Sequence, residues 1–319
     1  MSTPTGHWLQ PCCATRTGAS HHRRGSPCQD TSGYHGFHDR DGAPIQVLVV
    51  SDGHGGSRYD RSAVGSRIAC RVALEELRQQ FAGVRLQPAD GERWRLWLAE
   101  TLPQRLVRRW GQEVLAHAER HPRPDGDAPS TVPYGATLGL LLLTPHWWGY
   151  SGLGDWDLVR VSADGQAELI SEEPAEAGSG EATCSLCMEG AARFFAGRSA
   201  LEPIAASQLP FSLLLSSDGI RKSCGSDEDF LTLARYLAEL PPGAEGKNPD
   251  ELAQALDHIS SQGSGDDVSV AIGRWGAGVG RQGQPLLWIV QPGLESPPEA
   301  PHLSRNAPPQ APVAPSQPA

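Results

Sequence analysis

Short apolar runs bounded by turn residues recur along the chain, and three of them meet an aspartate at one end. Ile45-Gln-Val-Leu-Val-Val50 leads into Ser51-Asp52-Gly53-His54-Gly55-Gly56, and Phe211-Ser-Leu-Leu-Leu215 leads into Ser216-Ser217-Asp218-Gly219. Gly265-Asp266-Asp267 opens the third run, Val268-Ser-Val-Ala-Ile272. Runs of this length, rich in branched residues and closed by Gly, Ser and Asp, predict buried strands. Residues 136–143, 147–153, 157–162 and 166–170 have the same character, with Asp164-Gly165 as a hairpin turn between the last two, and 285–290 forms a further candidate.

Other stretches carry a period near 3.6. Val64, Ile68, Val72 and Leu77 recur at near-helical spacing within 59–81, with Gly55 and Gly56 leading into the helix. Trp94, Trp97, Leu98, Leu102, Leu106, Trp110, Val114 and Leu115 mark one apolar face over 92–120, with an interruption expected at Pro103. Two more helices are predicted at 229–240 and 250–260. The first 20 residues read as irregular, 21–30 as a loop or strand edge, 121–133 as a loop and 171–208 as a surface insertion. Helices grouped around hairpin-linked strands suit an antiparallel α+β fold better than alternating βαβ units.

Composition narrows the picture. Hydrophobic residues make up 39% of 319, enough for a sizeable core. Nine of the 27 prolines fall in residues 291–319, where few large apolar side chains remain. That segment cannot bury enough surface to offset its ordering entropy, so the expected division is a domain over 1–290 and a Pro-rich disordered tail over 291–319. A net charge of -10 argues against a nucleic-acid partner, which needs a basic footprint. No basic start precedes an apolar stretch at the N-terminus, and no apolar run reaches the length of a membrane span. With seven cysteines, an odd number, the expectation is a cytoplasmic protein with free thiols and no membrane partner.

The chemistry lies in the strand tips. A buried strand gains nothing from a terminal aspartate, and a lone Asp-Gly is ordinary turn chemistry. Several such carboxylates on one sheet edge, however, repel one another unless a divalent cation holds them.

Asp52-Gly-His-Gly-Gly56, Gly135-Ala-Thr-Leu-Gly139, Gly152-Leu-Gly-Asp155, Ser216-Ser-Asp-Gly219 and Gly265-Asp-Asp-Val-Ser269 occur in that order. Together they resemble the signature segments of the protein phosphatase 2C family, the metal-dependent serine/threonine phosphatases. Pro27-Cys-Gln-Asp30 looks most like bacterial members. The resemblance implies a central antiparallel β-sandwich flanked by helices in α-β-β-α layers. It also implies hydrolysis of phosphoserine and phosphothreonine in proteins by metal-activated water. The implied cofactors are two Mn2+ or Mg2+ ions, with a third, weaker ion in some bacterial members. Asp52 would bridge the two ions, the Gly53 carbonyl would ligate the second, and Asp218 and Asp266 would bind the first. Asp155 would join Asp218 at the third, and His54 matches a candidate general acid. A phosphorylated protein is the implied substrate and a cognate Ser/Thr kinase the implied partner.

The departures from the family pattern are specific. The position of its phosphate-anchoring arginine falls on Gly25, leaving Arg23 or Arg24 as substitutes, with Arg24 the candidate for phosphate binding. The acidic pair reads Gln29-Asp30, which leaves Asp30 behind the metal ligands. Trp156-Asp157 replaces a small residue and an arginine, and Asp267 replaces an asparagine. His21 and His22 are expected to be solvated. These changes keep two alternatives open: a weakly active or inactive member serving as a regulatory binding module, and a phosphatase of small phosphorylated metabolites.

Overall fold

Along the strand at 45–50, Val47 and Val49 join one hydrophobic cluster and Leu48 and Val50 another. A run with no polar alternation is what a strand covered on both faces requires. The computed structural model describes residues 6–123, 127–173, 183–241, 250–277 and 287–292. Its strands are β1 (His7–Trp8), β2 (Cys12–Arg16), β3 (Thr31–His38), β4 (Pro44–Ser51), β5 (Leu138–Leu143), β6 (Trp147–Leu153), β7 (Asp157–Ser162), β8 (Ala167–Ser171), β9 (Ala200–Pro203), β10 (Phe211–Ser216), β11 (Val268–Gly276) and β12 (Leu287–Val290). The helices are α1 (Ala19–Arg24), α2 (Ser62–Phe81), α3 (Gly91–Leu96), α4 (Leu102–Arg120), α5 (Asp218–Lys222), α6 (Asp227–Glu239) and α7 (Asp250–Gln262).

Two antiparallel sheets form the centre. One runs β1-β11-β10-β7-β8, with β2 also on β11; the other runs β12-β3-β4-β5-β6-β9. Leu48, Val50, Leu141 and Leu143 of the second sheet pack with Leu158, Leu213 and Leu215 of the first. The outer face of the second sheet packs under α2 and α4 through Val47, Val49, Leu140 and Leu142. Phe230 and Leu237 of α6 and Leu252 and Leu256 of α7 cover Val159, Leu214 and Val270 of the first. These are the expected α-β-β-α layers. Register then brings strand ends together. Ser216, ending β10, lies opposite Val270 and Asp157 near the starts of β11 and β7. Ser51, ending β4, lies opposite Thr31, and Leu153, ending β6, opposite Leu138. The loops carrying Asp52, Asp155, Asp218 and Asp266 therefore leave the sheets at strand ends that the antiparallel pairing aligns.

Several local expectations need correction. Cys12–Arg16 pairs with β11 instead of being irregular: its backbone covers an edge that β11 would otherwise expose, and Cys12, Cys13 and Ala14 are buried there. The stretch at 21–30 holds the end of a helical turn, α1, closed by Gly25 at φ 66°. The helix after the Gly-rich turn starts at Ser62, following a 3-10 turn at Ser57–Tyr59. The long Trp-bearing helix, by contrast, is interrupted as expected, at a π-turn, Trp97–Thr101, just ahead of Pro103, which has no N–H to continue the ladder. The expected insertion is no mere surface feature. Ala191, Phe195 and Arg198 are buried and Ala200–Pro203 adds the edge strand β9, while 174–182 lie outside the described residues. Of the expected tail, Gln291 is buried and donates to the carbonyls of Cys28 and Ala63; residues 293–319 lie outside the described residues.

Two predictions concern stability. Trp110 is fully buried and its Nε1 donates to the Gly65 carbonyl at 3.0 Å, so Trp110→Ala should cost about 3–5 kcal/mol in urea unfolding. His35 is buried, and desolvation followed by nearby Arg78 lowers its pKa from 6.5 to about 4. The folded state thus holds the neutral ring while the unfolded chain takes up a proton. This contribution is complete above pH 6.5 and lost as pH falls toward 4. His35→Gln should flatten the decline in melting temperature across that window, relative to the wild type.

Candidate metal centre

Asp52, Asp155 and Asp218 each offer a carboxylate oxygen within 4.8 Å of the others, and they are the cluster of His, Cys, Asp and Glu side chains so gathered among the described residues. Asp52 is fixed by its own backbone: its N–H donates to Thr137 Oγ1 at 3.0 Å and its carbonyl accepts from the Thr137 N–H at 2.8 Å. Gly53 forms an isolated bridge with Ala136, and a Cβ there would stand 2.7 Å from the Ser62 carbonyl oxygen. Only glycine allows that approach. Asp218 opens α5, and a side chain on the next residue, Gly219, would meet the Asp267 carbonyl oxygen at 2.0 Å.

Asp30 stands against Asp52 and is 1% exposed; its Oδ2 accepts from Ser217 Oγ at 2.6 Å. Burial and the surrounding carboxylates raise the pKa of Asp30 and Asp52 well above the usual range and that of Asp218 to about 9. Asp30 Oδ1 and Asp218 Oδ1 are buried with no hydrogen-bond partner. Orphaned oxygens and mutually repelling carboxylates fit a hard divalent cation with an all-oxygen donor set. Asp266 lies half-exposed beside this group. Lys222 Nζ links it in, at 2.5 Å from Asp218 Oδ2 and 3.5 Å from Asp266 Oδ2.

The surroundings are built from groups far apart in sequence. Gln29 does not face the carboxylates: its Nε2 donates to the His54 carbonyl at 3.0 Å and Ser62 Oγ at 2.5 Å, bracing the loop after Asp52. His54 packs edge-on against Tyr59, and burial lowers its pKa. Asp267 binds the N-terminal segment, accepting from the Gly18 and Gln29 N–H groups at 2.6 Å each. His21 Nδ1 sits 2.9 Å from Asp267 Oδ2, so His21 is buried in an ion pair, contrary to the solvated expectation; His22 is exposed. Arg24 folds back along its helix, donating to the Ser20 carbonyl and Oγ at 3.3 and 3.2 Å, whereas the Arg23 guanidinium approaches Gly265.

Sequence reading missed Arg198, Ser217, Arg221 and Lys222. Arg198 is buried, and its guanidinium lies 3.8 Å from the Trp156 ring centroid. It donates to the carbonyls of Gly154 and Trp156 and to Ser171 Oγ, clamping the loop that carries Asp155. Arg221 pairs with Asp157 at 3.1 Å. The arginine missing after Asp155 thus has counterparts about 40 and 65 positions further on, beyond the reach of a local motif. Lys222 had one local signal, its i, i+4 spacing from Asp218.

No curated protein matches the chain by sequence. Among solved structures, a bacterial serine phosphatase aligns at TM-score 0.53 and 17% identity, over 85% of this chain and 100% of that one. The serine/threonine phosphatase Stp1 from Staphylococcus aureus aligns at TM-score 0.52 and 19% identity, over 86% and 97%. The catalytic domain of the serine/threonine protein phosphatase PstP, in complex with 2 manganese ions, aligns at 0.51 and 16%, over 85% and 99%. At these identities the likeness is one of fold. The profile of the family described as Protein phosphatase 2C matches residues 17–257, which takes in strands β3 to β10 and the loops bearing Asp52, Asp155 and Asp218. The chain belongs to the protein phosphatase 2C family.

Proposed function

We propose that the carboxylate cluster at the end of the sandwich is the catalytic centre of this phosphatase, with Asp52, Asp218, Asp266 and the Gly53 carbonyl holding two divalent ions. Family membership makes the protein a metal-dependent enzyme acting on phosphoserine and phosphothreonine in proteins. The observation that carries the site assignment is the meeting of Asp52, Asp155 and Asp218 within 4.8 Å. Two bound ions, Mn2+ or Mg2+, would supply water activation and charge balance for the phosphoryl oxygens. Asp155 completes the acidic wall and is the candidate for a third ion with Asp218. Asp30, held by Ser217, stands behind Asp52 and keeps it oriented. His54 supplies the proton to the departing serine or threonine oxygen. The imidazolium is the donating form, and burial, which lowers its pKa, makes it the stronger acid.

A regulatory binding module is not favoured, because a module with no reaction to catalyse has no use for buried carboxylates with orphaned oxygens. The reading extends to a cognate Ser/Thr kinase and a cytoplasmic setting. No helix among the described residues is long and apolar enough to cross a membrane. Phosphoproteins that accumulate when the gene is deleted would identify the kinase's targets; no change would argue against this pairing.

Hydrolysis of a phosphothreonine peptide should require Mn2+ or Mg2+ and stop in EDTA. Asp218→Ala should lower kcat by a factor of about a thousand, as expected when a metal ligand is lost. Full activity in either case would overturn the assignment. His54→Asn should lower kcat by about a hundredfold while leaving the Mn2+ binding isotherm nearly unchanged, as for a lost proton donor.

A further inference from the structure

Asp218 and Lys222 are four residues apart on one helix, a spacing that on most surfaces gives a weak, solvated ion pair. This pair differs in three respects. Asp218 is 7% exposed, the ammonium also reaches Asp266, 44 positions away in sequence, and both carboxylates belong to the proposed metal-binding set. The two oxygens of Asp218 are divided: Oδ2 is engaged by Lys222, while Oδ1 is buried and unpartnered. The lysine stem is half-exposed at the mouth of the cluster, and an ammonium carries three donors, of which two are taken here.

Resting on the metal-centre reading above, we infer that Lys222 is a tethered cation of the centre, with two effects. It competes with divalent ions for Asp218 and Asp266, and it offers its remaining N–H to the phosphoryl group of the substrate. Charge supports both. The ammonium offsets part of the repulsion among Asp52, Asp155, Asp218 and Asp266, so a divalent ion gains less on arrival than it would at bare carboxylates. Once ions neutralise those carboxylates, the ammonium leaves a surplus positive charge where a dianionic phosphate monoester must dock. Arg24 does not compete for this role in the structure, since its guanidinium is bonded back to Ser20.

Calorimetric titration of Mn2+ into wild type, Lys222→Met and Lys222→Arg, followed by inorganic phosphate into each Mn2+-loaded protein, tests the inference. Lys222→Met should bind Mn2+ about tenfold more tightly and phosphate about tenfold more weakly, as for removal of one close charge. Lys222→Arg, which keeps the charge, should stay near wild type in both titrations and controls for folding. Unchanged or weaker Mn2+ binding by Lys222→Met would reduce Lys222 to a strut for Asp218 and overturn the inference. Unchanged phosphate binding on loaded Lys222→Met would overturn it equally. A wild type that binds no Mn2+ would instead sink the metal-centre reading itself, and the inference with it.

Discussion

The constraint on which this structure depends is the repulsion among carboxylates brought together at one end of a β-sandwich. Asp30, Asp52 and Asp218 are all pushed toward the protonated form by burial and by neighbouring carboxylates. Such a group would not persist in a fold built for stability alone, because each buried charge costs several kcal/mol unless it is paired. It persists here because the strands that deliver it are held by hydrophobic layers on both faces. The strain is local, and the packing that opposes it is spread over the domain.

That packing accounts for how rigidly the loops are set. Asp52 is tied to Thr137 through its backbone, and the loop behind it is braced by Gln29 and Ser62. Asp155 depends on a more costly device. The guanidinium of Arg198 is buried against Trp156 and satisfied by two carbonyls and a hydroxyl, so the loop is clamped by a charge that has few other partners. Trp156 itself fills the space over Gly139 and Gly152, where a Cβ would stand within 2.7 Å of the indole. The substitution of Trp-Asp for the family's usual pair is therefore accompanied by a compensating arrangement: a large ring over two glycines, Arg198 on the ring, and Arg221 on Asp157.

Cations at this end of the molecule come in two kinds. Arg198, Arg221 and His21 are committed to structural partners, which they hold in place. Among the described residues, Lys222 is the one whose partners are the candidate metal-binding carboxylates themselves. A divalent centre with an ammonium at its margin differs electrostatically from one lined only by carboxylates, and that difference bears on metal affinity as well as on substrate binding.

The strand-tip aspartates, the helical periods of 59–81 and 92–120 and the antiparallel order were legible because local pattern encodes them. Alternation, period and turn chemistry each act within a few residues. The five motifs identify the family, and with it the layers. What the chain order could not reveal was which distant groups meet. That Cys12–Arg16 is a strand follows from the open edge of β11, and that Phe195 and Arg198 are buried follows from β9 completing the second sheet. His21 became an ion-pair partner because Asp267 lies over 240 positions away yet under 3 Å in space. Sequence alone determined which carboxylates are available and that they sit at strand ends. Tertiary structure decided which of their oxygens are free and which cations stand beside them, because hydrogen bonding and desolvation depend on neighbours that only the folded chain assembles.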